Sequence, residues 1–479
     1  MPGCFSFLSR PKRGSASSSS SPARNVDHAA STAFPLGHEP AFLPAYSPPG
    51  THAPVSAGLL LDNVALSGVM KELSQTIEST AFGLSGELRK LSLKMFEYKE
   101  LAFEEFKTHD LFCDWFEDKY GGKKGWTLTR HAHGLETAFR VEFEHRPKDL
   151  AADAVLPCLG FNSELDALPG IGHACGHPLI AICGIAAAIG TAEALVKHNL
   201  PGKVVLLGTP AEEAGGGKCI LIERGAYKGM DVCAMAHPGP YSTVGTSLAV
   251  SSFQVTYTGQ ASHAAASPWT GRNALDAAVQ AYVNLSTLRQ QVPPSHRMHA
   301  IIKGDNLVVN VIPDEALLIC NARAPTKAEL EALVPRVEKC FEAGALATEC
   351  KMKIETTLTY LDLENSSPLS DTFRHVMASK YDDVFDDIPM IGSTDFGNVT
   401  YEVPSFHPLY SIPLKDPVGG GNHTRSFEHD ARSEAAHKKS LQVAVATALS
   451  CIKIVVDENY AKEVRSTWEE WKKGSRPHP

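Results

Sequence analysis

The densest run of chemically competent side chains reads Gly160-Phe161-Asn162-Ser163-Glu164-Leu165-Asp166-Ala167-Leu168-Pro169-Gly170-Ile171-Gly172-His173-Ala174-Cys175-Gly176-His177. Cys175 and His177 stand two apart with a glycine between them, which lets a thiolate and an imidazole turn toward one ion. Such a pair suits zinc or a similar transition ion. The plain alternative makes His173 and His177 capping or core histidines beside a buried cysteine, and the triplet alone does not decide between the two.

A second run, Thr209-Pro210-Ala211-Glu212-Glu213-Ala214-Gly215-Gly216-Gly217, follows an apolar stretch. Adjacent carboxylates repel, so the pair needs a cation or a helix N-terminus to offset it. A metal hydrolase gives such a pair separate tasks, one binding the ion and the other free to take a proton from water. A solvated first turn of a helix is the competing explanation. His237 closes another apolar run, Val232 to Met235, and His423 lies in the Gly-rich stretch Gly421-Asn422-His423-Thr424. His407, in Ser405-Phe406-His407-Pro408, competes with His423 for one role. Together Cys175, His177, one of the pair Glu212 and Glu213, His237 and His423 make five ligands with one spare carboxylate. That inventory matches a hydrolytic site in which two ions ~3.5–4 Å apart share an activating water.

These residues need a scaffold that brings their segments together. Leu73, Ile77, Leu84, Leu88 and Leu91 recur at helical spacings, and a further helix is expected over Phe103 to Tyr120. Short apolar runs follow at Val141–Phe143, Val155–Leu159 and Val204–Leu207, each succeeded by turn residues and a helical pattern. That alternation predicts an α/β fold with a mixed, largely parallel sheet flanked by helices, where catalytic groups gather at the carboxyl ends of strands. Near Val250 the pattern changes. Strands are expected at Ser252–Tyr257, around Ile301, at Val308–Ile312, Leu317–Asn321 and Lys351–Thr359, with helices over Asn273–Leu288 and Lys327–Ala345. The order βαβββαβ, or βαββαβ if two short strands merge, describes an inserted α+β domain. The boundaries follow as catalytic parts at residues 65–248 and 363–458, an insert at 249–362, and a polar C-terminal tail at 459–479.

The chain has 479 residues, with 43% hydrophobic and 21% charged, which allows two or three domains with a large core. Forty-five Lys+Arg against 54 Asp+Glu give a net charge of −9, which argues against a nucleic-acid or anionic-membrane partner. No apolar run reaches the ~18 residues of a spanning helix, and Leu179 to Gly190 reads as a buried helix. The 11 scattered cysteines fit no disulfide framework and point to a reducing compartment. Residues 1 to about 55 are rich in Ser, Pro and Ala and are expected to be disordered. Arg10, Lys12, Arg13 and Arg24 precede the first acid, Asp27, as in mitochondrial transit peptides. A cytoplasmic location is the expectation, with the mitochondrion as the alternative.

The sequence resembles the aminoacylase and glutamate-carboxypeptidase family of dinuclear metallopeptidases, in the amidohydrolase branch that includes β-alanyl-lysine dipeptidase and p-aminobenzoyl-glutamate hydrolase. The likeness runs from about residue 70 to 455 and rests on Asp166 to His177, Pro210 to Glu213, and Gly259-Gln260-Ala261-Ser262-His263-Ala264-Ala265. Asn310-Val311-Ile312-Pro313, Ser393 to Val399 and Asn422-His423-Thr424 complete it. The resemblance implies a zinc-peptidase-like catalytic domain with a lid that also mediates a homodimer. It implies that Cys175, His177, Glu213, His237 and His423 hold two divalent ions, with the Cys175 thiolate bridging. Zinc is preferred for the thiolate, and manganese and cobalt are the alternatives. Glu212 would be the general base, and Asp166 would orient the ligand loop. His263 on the lid would hold substrate or oxyanion, in its own site or the partner subunit's. Asn310 and Arg323 would grip a substrate carboxylate, for which the planar guanidinium fork is suited.

Pro178 stands where the branch usually has Asn, which puts the orientation of His177 in question. Asn162-Ser163 and Gly304-Asp305-Asn306 also depart from the branch pattern and bear on substrate choice. The expected activity is hydrolysis of the amide bond of a dipeptide or similar small substrate with a free carboxylate. N-acyl amino acids and aminobenzoyl-glutamates are alternative substrates. A non-catalytic binding protein that kept the fold is the alternative of another class.

Overall fold

Residues 68–304, 307–390 and 392–474 are described by a computed structural model. The expectation for residues 1–55 lies outside them, as do Asp305 and Asn306. The leucine spacing near the start yields two helices, α1 (Gly68–Gly83) and α2 (Ser85–Tyr98), joined at Leu84. Leu73, Ile77, Leu88 and Leu91 are buried. The next helix, α3 (Phe106–Tyr120), starts later than the expected Phe103, whose positive φ of 63° is non-helical.

Six strands make the main sheet, beginning with β1 (Trp126–Arg130) and β2 (Phe139–His145). They are joined by β3 (Cys158–Glu164), then, beyond the helix α4 (His177–Lys197), by β4 (Gly202–Thr209). After α5 (Gly217–Glu223) comes β5 (Val232–Ala234), followed by the short β6 (His237–Gly239). Strands β3, β4 and β5 run parallel, while β2 and β1 add antiparallel strands at one side. Strand β3 is buried along its whole length, as expected where helices cover both faces of a parallel sheet. It begins at Cys158 and not at the predicted Val155. Val155 is exposed, and Pro157 between them has no N–H for a ladder.

The insert opens with β7 (Ala249–Thr258) and β8 (Ser262–His263), followed by α6 (Ala274–Leu288) and β9 (Arg297–Lys303). It closes with β10 (Val311–Ile312), β11 (Glu315–Ala324), α7 (Lys327–Thr348) and β12 (Lys351–Tyr360). The order β12-β7-β11-β9 is antiparallel throughout. Alternate residues of β7 and β11 are buried with α6 and α7 in a second core. The stretch Val308–Ile312 does not join this sheet. Only Val311–Ile312 is strand, and it pairs with Ser262–His263. Asn273 caps α6 by accepting from the backbone N–H of Leu275 and Asp276, an arrangement worth about 1 kcal/mol.

The first layer resumes with α8 (Ser367–Tyr381), α9 (Phe396–Thr400), β13 (Ser405–Phe406) and β14 (Leu409–Ser411). Strand β13 extends the main sheet beside β5, and β14 runs parallel to β6. Three helices end the described chain: α10 (Arg425–Ala431), α11 (Glu434–Val456) and α12 (Glu458–Lys472). The expected polar tail from residue 459 is therefore corrected to a helix. Its buried Tyr460, Val464 and Trp471 fall on one stripe at helical spacing, which its polar composition concealed. Helices α4 and α11 have the length and apolarity of a membrane span. Both are largely buried and pack in one core, so α4, longer than the predicted Leu179–Gly190, is a core helix.

Candidate metal centre

The ends of β3, β4 and β5 lie side by side, so the turns after them converge. In the first, Gly176 takes a positive φ of 93°, and a Cβ there would meet Pro238 at 2.6 Å. Only glycine fits between Cys175 and His177. The turn after β4 holds Ala211 at a φ of 59°, and His423 holds a φ of 66°. Such backbone is uncommon outside glycine and gathers at functional sites. The strain is held by specific bonds. The Ala211 N–H donates to Glu105 Oε1 at 2.9 Å, and the His423 N–H donates to the Ala174 carbonyl at 2.8 Å.

The side chains on these turns face one another. Cys175 Sγ lies 3.3 Å from His237 Nε2. His177 Nε2 lies 3.7 Å from Glu213 Oε1 and 3.9 Å from Glu212 Oε2. His423 Nε2 lies 3.5 Å from the same Glu213 oxygen. Cys175, His177 and His237 form one group whose donor atoms all lie within 4.8 Å of each other, as do Cys175, Glu213 and His423. Two groups sharing Cys175 fit the bridging position that the resemblance gave this thiol.

Ring orientation is fixed from behind. His177 Nδ1 donates to the Asp166 carbonyl at 2.7 Å, and His237 Nδ1 donates to the Pro238 carbonyl at 2.8 Å. Each histidine thereby presents Nε2 to the cluster, the usual arrangement behind a ligand imidazole. Asp166 supplies the orientation of His177, and Pro178 sits in the first turn of α4, where an N–H would have no partner within the helix.

The electrostatics favour cations. Burial, followed by the charge of Glu213, pushes the Cys175 thiol well above its usual range. Burial and then the charges of Glu164, Glu213 and Asp395 raise Glu212. Burial holds His237 down at about 3, so its ring is neutral. Buried His177 Nε2 and Glu213 Oε1 have no hydrogen-bond partner. Lone pairs on nitrogen, sulfur and oxygen crowded this way fit a pair of divalent transition ions.

The cluster forms one wall of a cleft of ≈ 650 Å³ whose opposite wall is the insert. Arg323 and Asn321, two apart on β11, both line it. Arg323 donates to the Ser393 hydroxyl at 2.7 Å, and no carboxylate pairs with it among the described residues. His263 and Asn310 are not among the lining residues. They sit together at the exposed β8–β10 pair, His263 in β8 and Asn310 just before β10, where the Ala264 N–H donates to the Asn310 carbonyl at 3.0 Å. His407 is buried and lines the same cleft, stacked on His237 with ring centroids 5.8 Å apart. His423, not His407, reaches Glu213.

Several residues of the centre were not singled out from the sequence. Asn422 Nδ2 donates to the carbonyls of Cys175 and Pro238, tying three turns together. Glu105 holds the Ala211 turn, and Glu164, bonded to Lys218 and through it to Asp395, lies buried against His177 Nε2. Glu164 and Asp395 fall inside recognisable motifs, and Lys218 directly follows the Gly215–Gly217 run, but nothing in their spacing reveals that they meet.

A model described as peptidase family M20/M25/M40 matches residues 160–453. A mouse (Mus musculus) protein named Xaa-Arg dipeptidase is 40% identical over 387 residues, covering 79% of this chain and 88% of its own length. The Homo sapiens protein of the same name is 38% identical over 433 residues, covering 88% and 97%. A solved Bacillus subtilis structure, described as a dinuclear metal binding peptidase from the M20 family, superposes with a TM-score of 0.55. It is 19% identical and covers 77% of this chain and 98% of its own. At that identity the likeness bears on the fold alone.

Proposed function

The chain belongs to peptidase family M20/M25/M40, and on that premise we propose that Glu212 is the general base of a dipeptidase whose metal ligands are Cys175, His177, Glu213, His237 and His423. Metal-dependent hydrolysis of a small amide substrate is the activity of the chain. The observation that carries the assignment of roles is the split within the carboxylate pair. Glu213 Oε1 is 3.7 Å from His177 and 3.5 Å from His423, whereas Glu212 Oε2 approaches His177 only, at 3.9 Å; both carboxylates line the cleft.

Bound divalent ions supply Lewis acidity toward a carbonyl and lower the pKa of water. The protein does the rest. Glu212 takes a proton from water at a carboxylate oxygen and returns it to the leaving nitrogen. Asp166 holds the backbone of Glu212, and so its reach, constant. Arg323 binds the substrate carboxylate from the opposite wall, which sets the scissile bond between the two. The two mammalian relatives, named Xaa-Arg dipeptidases, support arginine on the carboxyl side of the dipeptide. We favour zinc, for the Cys175 thiolate.

A homodimer is supported by exposed Val279, Tyr282 and Val283 on α6 and by the open edge strand β9. In that dimer His263 would serve the partner subunit's cleft. A cytoplasmic site is supported by the ten described cysteines, all free. Incubating zinc-loaded protein with dipeptides, N-acyl amino acids and aminobenzoyl-glutamate, read by mass spectrometry, tests the substrate. Cleavage confined to the acyl or aminobenzoyl compounds would overturn the dipeptide assignment. Sedimentation at micromolar concentration tests the dimer, and a strict monomer would overturn it.

A further inference from the structure

Against His177 Nε2 lies a cluster of charges that the reaction above does not use. Lys218, in the first turn of α5, is fully buried, and its Nζ donates to Glu164 Oε1 and Asp395 Oδ1, each at 2.6 Å. Its backbone N–H donates to the other Asp395 oxygen at 2.9 Å. Glu164 ends β3, and Asp395 immediately precedes α9. One ammonium thus joins three distant segments and neutralises only one of two buried carboxylates.

The remaining Glu164 oxygen, Oε2, is buried, has no hydrogen-bond partner, and lies 3.3 Å from His177 Nε2, which has none either. His177 Nδ1 donates to the Asp166 carbonyl, so Nε2 is the ring atom that faces Glu164. A carboxylate oxygen and an imidazole nitrogen, both shielded from water, then point at each other. A charge-assisted hydrogen bond would measure about 2.7–2.9 Å. A separation of 3.3 Å is instead the edge of a tetrahedral coordination shell, since bonds of about 2.0–2.1 Å set neighbouring donors about 3.3–3.4 Å apart.

We propose that Glu164 is a sixth protein ligand, sharing with His177 one ion of the pair, and that Lys218 and Asp395 hold its carboxylate in place. The proposal rests on the reading of His177 as a metal ligand. The direct test is a crystal structure of the native protein loaded with zinc. Glu164 Oε2 is expected about 2.0–2.2 Å from the ion held by His177. Two bound ions with Glu164 beyond 3 Å from both would overturn this proposal alone. A native protein that binds no zinc would overturn the metal centre and this ligand with it.

In solution, zinc affinity of Glu164→Gln and Glu164→Asp is measured by competition with a chromogenic chelator. Aspartate still neutralises Lys218 but withdraws the oxygen by one methylene. Each variant is expected to bind one ion about 10- to 100-fold more weakly and the other as the native protein does. A folded variant with native affinity for both ions would overturn the proposal.

Discussion

The backbone N–H of Glu212 donates to Asp166 Oδ1 at 3.1 Å, fastening the turn after β4 to the turn after β3. The neighbouring Glu213 N–H takes the other oxygen at 2.9 Å. Asp166 is thereby spent on backbone and leaves the Glu212 carboxylate free for proton transfer. In Glu212→Gln the fold and the ligand atoms are kept while the proton acceptor is removed. Turnover should fall by about 10²- to 10⁴-fold, the usual worth of a general base, with zinc content near native by elemental analysis. Retention of most activity would remove Glu212 from this role.

The two late histidines separate by position. His423 reaches Glu213, whereas His407 stacks on His237. Cys175→Ala and His423→Ala should each lose bound zinc together with activity, the cysteine variant more, since it belongs to both donor groups. His407→Ala should retain two ions per chain. Loss of metal in His407→Ala with retention in His423→Ala would reverse the assignment.

Arg323 spends one N–H on Ser393 and keeps the rest of its fork for the cleft. Burial lowers its pKa, a cost that a bound carboxylate offsets. Arg323→Ala should lower kcat/KM by about 10- to 100-fold, the size of a lost charge-assisted hydrogen bond. The loss should vanish for dipeptide amides, which have no carboxylate. Arg323→Lys should recover little, because a point charge cannot replace the planar fork. Equal losses on acids and amides would show that Arg323 only shapes the cleft.

What the sequence made legible were the residues whose chemistry and local spacing coincide: Cys175 and His177 flanking one glycine, and Glu212 and Glu213 after an apolar run. Strand ends could be read the same way, since Val204–Leu207 announces β4. What stayed hidden depends on contacts between distant segments. Lys218 meets Glu164 and Asp395 across 54 and 177 residues, and no local pattern marks it apart from surface lysines. In α12 the overall polarity hides a three-residue apolar stripe. At Val155 an apolar run reads as strand, but the proline after it keeps it off the ladder.

Glu105 is a carboxyl group buried beside the centre, holding the strained Ala211 turn. Burial, with a smaller push from the Asp166 charge and against the pull of Thr137, raises its pKa from 4.5 to about 7. A folded-state pKa above the unfolded one means that folding favours the protonated form. The stability this contributes is complete below pH 4.5 and is lost as the pH rises through about 7. The difference amounts to about 3 kcal/mol. Glu105→Gln keeps an acceptor for the Ala211 N–H but cannot ionise. Its unfolding free energy in urea should therefore be flatter between pH 5 and 8 than that of the native protein. The variant should be the more stable of the two at pH 8, and the gap should close toward pH 4.5. Glu105→Ala should lose stability at every pH, because the amide of the strained turn is then unpaired. Parallel pH profiles for native protein and Glu105→Gln would show that Glu105 stays charged throughout.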